Sequence, residues 1–157
     1  MIPRLLLLAS LLLTALGPLR AAGTGLDRYA VVTIAPVTTS LYIASVSLSV
    51  PEFVRHGQTY ESTYTAKIFP YFFWNEQGRI RIDVTDETLR QFARGKSFSF
   101  SGHAIRDDGA MRRVTGLITP ESSSSGKVTV HIFVTRHYAL SFETTYRIAG
   151  ALQAVSQ

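Results

Sequence analysis

The sequence contains no cysteine, and this absence excludes several classes of function. A disulfide framework, a zinc or iron–sulfur site with thiolate ligands, a thiol nucleophile and a lipidated N-terminal cysteine all require that residue. Charged residues are also scarce, at 17% of the 157 residues, whereas 46% are hydrophobic. This balance excludes a disordered chain and is typical of a folded one. At this length we expect a single domain.

The one long apolar run lies near the N-terminus, from Leu5 to Leu16. It follows Arg4 and precedes the small residues Ala21 to Gly23, an arrangement typical of a secretory signal peptide. The run is shorter than the ~20 residues that a transmembrane helix needs, so we expect no stable membrane span after cleavage. The sequence therefore predicts a signal peptide over residues 1–23 and a secreted or periplasmic protein.

The charge of the exported chain does not favour a nucleic-acid partner. Removal of residues 1–23 takes away Arg4 and Arg20, so the formal charge falls from +5 to +3. The remaining basic residues are scattered, with a single adjacent pair, Arg112–Arg113, whereas phosphate backbones require clustered cations. The single asparagine, Asn75, lies in no glycosylation sequon, which favours a bacterial envelope over a eukaryotic secreted surface.

Alternating apolar and polar residues fill most of the chain after residue 24, a pattern typical of strands with one buried face. In the segment 59–69, for example, Tyr60 and Tyr64 share one side. In the segment 41–50, Tyr42 and Val46 do so, and we expect both to be buried. The predicted strands are 29–35, 41–50, 59–69, 79–84, 97–104, 112–119, 127–135 and 138–148.

The segment 86–94 departs from this alternation and has helix signals at both ends. Thr85 is a suitable N-cap, two acidic residues follow it, and Gly95 suits a left-handed exit. One helix among so many strands excludes a parallel α/β sheet, which needs a crossover helix after nearly every strand.

We therefore predict an all-β fold for residues 24–150, as a single domain. Its architecture is a single antiparallel sandwich or partly closed barrel of seven to eight strands with one short helix near residues 86–94. The last residues, 151–157, are predicted to form a flexible tail.

Catalytic signatures are missing from the sequence. The histidines His56, His103, His131 and His137 have none of the spacings that hold metals, such as the His-Glu-x-x-His helix motif. A serine nucleophile elbow would need Gly-x-Ser-x-Gly, and the nearest match, at residues 95–99, lacks the final glycine. We predict no metal site and no cofactor.

The aromatic run from Phe69 to Trp74, interrupted only by Pro70, is the most unusual segment. Consecutive aromatic residues on a strand face both ways, so they cannot all point into one core. We therefore expect at least one ring among Tyr71, Phe73 and Trp74 to be substantially exposed. Exposed aromatic patches on folded domains usually mark contacts with a ligand or partner.

A hairpin turn is predicted directly after this run, at Asn75–Gly78, because four polar or glycine residues there separate two β-prone segments. Such a turn would place Arg79 across the hairpin from Trp74, within reach of a cation–π contact.

These features favour a secreted, non-enzymatic β domain that binds an unidentified ligand or protein partner. The candidate contact residues are Phe69, Tyr71, Phe73, Trp74 and Arg79. Two alternatives stay open. An envelope hydrolase or metal-dependent enzyme would bring His103, His131, His137 and nearby acidic residues together by folding. A small outer-membrane barrel would turn an apolar face of its strands to lipid.

Overall fold

The computed structural model describes residues 25–149, so the predicted signal peptide at 1–23 and the predicted tail at 151–157 lie outside the described residues. Two short 3₁₀ turns, Asp27–Tyr29 and Phe72–Trp74, accompany ten strands and one helix. In chain order these elements are β1 Val31–Ile34, β2 Val37–Leu41, β3 Ala44–Ser49, β4 Glu52–His56, β5 Thr59–Phe69, β6 Glu76–Asp83, α1 Asp86–Ala93, β7 Phe98–Arg106, β8 Met111–Pro120, β9 Ser125–Phe133 and β10 Ala139–Ile148.

Eight of the strands form a closed antiparallel barrel, which confirms the all-β class and the barrel alternative. Strands β5 to β10 pair in chain order, and β1 completes the circle by pairing with β10 on one side and β4 on the other. Strand β4 then pairs with β5. The outer strands β2 and β3 form a hairpin that continues the wall above β1 and β4, where β3 pairs with the second half of β5.

Strands β2 and β4 were not predicted, because two prolines divide what are nearly continuous strands. Pro36 separates β1 from β2, and Pro51 separates β3 from β4. Proline removes one ladder donor and bends the strand. After Pro51 the chain stays on the same neighbour, because β5 pairs with β3 up to Ser49 and with β4 from Val54. After Pro36 the chain changes neighbours, because β1 pairs with β4 and β10 whereas β2 pairs with β3. The burial predicted for Tyr42 is wrong, because this residue lies in the tight turn between β2 and β3 and is fully exposed.

The helix α1 closes one end of the barrel, in the position that the sequence predicts. The Thr85 side chain accepts a hydrogen bond from the Thr88 amide at 3.2 Å, as an N-cap should. Leu89 and Phe92 are buried, and the Phe92 ring lies 5.7 Å from the ring of Tyr29. No helix within residues 25–149 is long and apolar enough to cross a bilayer.

Aromatic rings fill the barrel interior by lying over glycines of the neighbouring strand. The facing pairs are Tyr64 with Gly78, Phe100 with Gly116 and Tyr146 with Gly126. A Cβ atom on Gly116 would lie 2.3 Å from the Phe100 ring and 2.4 Å from the Thr129 carbonyl oxygen, far inside van der Waals contact. A Cβ atom on Gly126 would lie 2.8 Å from the Tyr146 hydroxyl, whereas one on Gly78 would lie 2.0 Å from the Ile105 carbonyl oxygen. Only glycine fits at these three positions, which lets the wall curve closely.

We expect Gly116→Ala to lower the free energy of unfolding by about 1–3 kcal/mol, because the added methyl group must displace either a buried ring or a backbone carbonyl. Urea unfolding followed by circular dichroism measures this change. Ser99→Ala is the matched control, since Ser99 lies on β7 beside Phe100 but faces outward. Equal stability of the two variants would contradict the proposed packing.

Candidate functional site

Four connections between strands lie together at the end of the barrel opposite α1. They are the β2–β3 turn, the β5–β6 loop, the β7–β8 turn and the β9–β10 loop. Antiparallel pairing places them there: Ser45 faces Phe69, Ile105 faces Met111 and Phe133 faces Ala139, each near the same ends of their strands.

Most of the exposed large apolar side chains gather at this end. Residues 25–149 contain twelve such side chains, and nine of them lie on the four connections or on the strand residues that flank them. The nine are Tyr42, Ile43, Phe69, Phe72, Phe73, Trp74, Met111, Val134 and Tyr138. We call this set the apolar end. Scattered apolar residues on a surface are ordinary, whereas a cluster of this kind is a candidate contact site.

The aromatic run is the largest contributor to the apolar end. Phe73 is 77% exposed and Trp74 is 56% exposed, which confirms that at least one ring of the predicted group reaches solvent. The rings touch one another: Tyr71 lies 4.8 Å from Trp74, and Phe73 lies 5.2 Å from Trp74, both between ring centroids. They therefore form one continuous aromatic surface.

The hairpin turn lies earlier than predicted, because the residues Glu76–Gly78 continue β6 and the turn is formed by residues 70–75 instead. Its backbone is tightly bonded: the Trp74 amide donates to the Tyr71 carbonyl at 2.9 Å, and the Asn75 side chain accepts from the Ile68 amide at 2.7 Å. These hydrogen bonds fix the backbone of the loop that carries the rings.

Arg79 does not join the aromatic surface. It lies on β6 facing outward, opposite Thr63 on one side and Ile105 on the other, because the shifted turn moves it down the barrel wall. The cation–π contact predicted between Arg79 and Trp74 is therefore wrong. The structure instead places the guanidinium of Arg113 3.8 Å from the ring centroid of Phe133.

A group of polar side chains lies inside the barrel, directly beneath the apolar end. Arg112 donates two hydrogen bonds to the Glu76 carboxylate, at 3.0 Å from Nε and 2.8 Å from Nη2. The Tyr64 hydroxyl donates to the same carboxylate at 3.3 Å, and Arg106 Nε lies 3.5 Å from it. We call Tyr64, Glu76, Arg106 and Arg112 the ionic layer.

The ionic layer fixes the loops above it. Arg112 also donates to the Val134 carbonyl at 3.3 Å, and Arg106 pairs with Asp108 at 3.1 Å, so two of the four connections are tied to the barrel interior. The hydrogen bond to Glu76 raises the pKa of Arg112, so the guanidinium stays ionised. Within the layer both arginines pair with the single carboxylate of Glu76, and Arg106 also pairs with Asp108 in the β7–β8 turn, so every charge has an opposite partner.

The histidines proposed for the enzymatic alternative lie apart. His103 faces Arg113 on β8, and His131 lies two strands away between Thr115 and Ser141. His137 is exposed in the β9–β10 loop. Within residues 25–149, no three His, Asp or Glu side chains are placed to hold a metal ion together.

Comparison with protein-family models, curated proteins and solved structures gives no match, so the geometry of this chain alone must support a functional proposal.

Three tyrosines inside the barrel have raised pKa values. Burial raises the pKa of Tyr60 and of Tyr146 to about 12, and for Tyr146 the nearby Glu121 carboxylate adds to the effect. Burial also raises the pKa of Tyr64 to about 12, with the charge of Glu76 and the hydrogen bond to it as further causes.

We expect Trp74→Ala to change the free energy of unfolding by no more than about 0.5 kcal/mol, because its ring is more than half exposed and its ring–ring contacts are with Tyr71 and Phe73 of its own loop. Guanidinium unfolding of the two proteins tests this. A loss of ~3 kcal/mol or more would show that the ring is part of the core.

Stability should fall steeply at high pH. An unfolded chain ionises its tyrosines near pH 10, whereas Tyr60, Tyr64 and Tyr146 keep their protons in the folded protein up to about pH 12. Between these values the unfolded state binds fewer protons, so the free energy of unfolding decreases as pH rises. We expect Tyr146→Phe to make this decrease shallower, as measured by urea unfolding from pH 8 to about 12. Identical slopes for both proteins would contradict the pKa shift of Tyr146.

Proposed function

We propose that this chain is a non-enzymatic binding module that docks through its apolar end. The observation that carries the proposal concerns the twelve exposed large apolar side chains of residues 25–149. Nine of them lie at one end of the barrel, on four connections or on the strand residues that flank them. Burial of an exposed aromatic or branched apolar side chain contributes about 1.5–3 kcal/mol, so even part of this set gives useful affinity.

The partner that best fits the apolar end is a lipid–water interface. The apolar side chains stand at the tips of separate loops, so they can enter a fluid layer without needing a complementary rigid surface. Trp74, Tyr42 and Tyr138 combine a large ring with one polar atom, the residue types that favour the headgroup region of a bilayer. The aromatic rings are held rigidly by their loop, which limits the entropy lost on insertion.

Charge near the apolar end favours a surface with some negative lipid. Lys67 and Arg136 are exposed beside the apolar side chains, and neither is in an ion pair within the described part of the chain. Basic residues close to an anionic membrane contribute about 1 kcal/mol each. Two acids of the β7–β8 turn oppose this attraction. Asp108 pairs with Arg106, whereas Asp107 is in no ion pair within the described residues, so the two cations outnumber one such acid.

The same arrangement gives less support to the other functions. The outward positions of β6 are Gln77, Arg79, Arg81 and Asp83, whereas a membrane-spanning barrel needs an apolar band there. In residues 25–149, no three His, Asp or Glu side chains are placed to hold a metal ion, so the metal-dependent alternative has less support. Docking on the outside of a membrane is also compatible with the secreted or periplasmic location that we propose from the signal peptide at residues 1–23.

Trp74 is the only tryptophan of the chain, so its fluorescence reports directly on this surface. We expect its emission to shift to shorter wavelength when phosphatidylcholine–phosphatidylglycerol vesicles are added, because the indole leaves water. Phe72→Ser/Phe73→Ser keeps the reporter and removes two exposed rings, so its vesicle affinity should fall at least tenfold.

The matched control is Val54→Ser/Leu117→Ser, which removes two exposed apolar side chains from the barrel wall, and its vesicle affinity should match that of the wild type. Vesicles that cause no shift in Trp74 emission would overturn the proposal. So would full vesicle affinity in Phe72→Ser/Phe73→Ser, or an equal loss in both double variants.

A further inference from the structure

A cavity lies inside the lower half of the barrel, between the ionic layer and α1. Its volume is about 100 Å³, and its walls are almost entirely apolar side chains, among them Leu48, Ile80, Phe92 and Val130. None of the residues that line it carries a charge.

The side chains around this cavity leave apolar surface uncovered. Seven apolar residues that line the cavity are only partly buried, although they point into the barrel: Val32, Ile34, Val37, Ile82, Phe98, Ile118 and Val130. Protein interiors are normally close-packed, with few voids larger than a water molecule. A hydrocarbon guest would therefore cover surface that the protein itself does not.

The cavity wall offers nothing to a polar or charged group of such a guest. The Tyr60 hydroxyl already donates to the Tyr29 carbonyl at 2.7 Å, and the Thr144 hydroxyl already donates to the Ala35 carbonyl at 2.8 Å. No charged side chain is present to replace the hydration of an ionised group. The part of a ligand that enters the cavity must therefore be hydrocarbon alone.

The barrel wall is weakest beside the cavity, where β1 ends. Ala35 lines the cavity and is also exposed, so the cavity comes close to the surface there, and the Ala35 amide donates to the Thr145 carbonyl at 3.0 Å. Beyond this bond β2 pairs with β3 alone, and no ladder joins β2 to β10 in the part of the chain that the structure describes. We call the line between β2 and β10 the seam. Val37 and Phe142 line the cavity on its two sides.

The seam leads from the cavity to the apolar end. Strand β2 ends at Leu41, directly before Tyr42, and β10 begins at Ala139, directly after Tyr138. The five residues of β2 span about 17 Å. A lipid chain crosses half of a hydrocarbon core that is about 30 Å thick, so one extended chain has nearly the length of the seam.

We propose that the barrel binds one unbranched alkyl chain, with the chain end in the cavity, its middle along the seam and its polar head in water at the apolar end. A dry apolar cavity of about 150 Å³ holds benzene, so this smaller one takes about four carbon atoms of the chain. Strand β2 can move outward to admit the chain, since no ladder to β10 has to break. The proposal goes beyond the docking function, because the aromatic rings can enter a lipid layer whether or not the barrel takes up a chain.

Dodecanoate and dodecylphosphocholine are suitable probes, because they carry the same chain on different heads. Both are used below the concentration at which they form micelles. Binding is measured from ¹³C-methyl chemical shifts of the isoleucines and valines that line the cavity, including Ile80 and Val130. We expect these shifts to saturate with both probes. Saturation with one probe alone would still support the chain site and would show whether a free fatty acid or a phospholipid supplies the chain.

The orientation of the chain is tested in the wild-type protein. Nuclear Overhauser effects should join the terminal methyl group of the probe to the methyl groups of Ile80 and Val130, and the methylene beside the head should show none to these residues. Hexanoate is too short to reach the cavity while its head stays outside, so it should bind at least about tenfold more weakly than dodecanoate.

A matched pair of variants tests the cavity itself. Val130→Met fills part of the cavity with a longer apolar side chain and should weaken dodecanoate at least about fivefold. Val54→Met makes the same change on the outside of β4 and should leave the affinity unchanged within about twofold. Vesicle binding, read from Trp74 emission, should be the same in Val130→Met and wild type, so failure of this proposal is distinguishable from failure of the docking function.

The proposal is overturned if neither probe gives saturable shifts at the cavity methyl groups, or if the head and not the chain end contacts Ile80 and Val130. It is also overturned if hexanoate binds as tightly as dodecanoate, or if Val130→Met and Val54→Met change the affinity equally. The contacts in the wild-type protein keep the test decisive if Val130→Met is less stable.

Discussion

Pairing of β1 with both β4 and β10 is the constraint on which the rest of the structure depends. Three residues of β1 join each neighbour, and with them the sheet becomes a ring. A ring of eight strands encloses a space only wide enough for side chains or one small ligand. The interior therefore has little room for large side chains. The rings of Tyr64, Phe100 and Tyr146 fit because each faces a glycine on the adjacent strand.

Closure also sorts the interior into layers. Apolar side chains and α1 seal the lower end, a small cavity remains above them, and the ionic layer caps the cavity below the loops. Charged residues are tolerated in this position because Glu76 meets both arginines and the Tyr64 hydroxyl, which compensates for lost hydration. The bonds from Arg112 to Val134 and from Arg106 to Asp108 tie the β9–β10 loop and the β7–β8 turn to the barrel. These two connections can therefore carry exposed apolar side chains without folding onto the wall.

The two proposals therefore rest on different parts of the molecule. The apolar end is a surface feature, held by short loops and by the ionic layer, and its aromatic rings are available to an extended partner. The cavity is an interior feature, and none of the residues that line it carries a charge.

Short-range patterns in the chain were enough to predict the all-β class, eight of the strands, the helix at Asp86–Ala93 and the exposure within the aromatic run, but not whether the sheet closes into a barrel. Alternation, capping residues and the two-sidedness of a strand each act over a few residues, so they can be read directly. The position of the hairpin turn, the distance between Arg79 and Trp74, and the gathering of Tyr42, Met111 and Tyr138 beside the aromatic run could not be read in this way. They depend on strand register and on which loops share an end of the barrel, and both follow from hydrogen bonds between residues far apart in the chain.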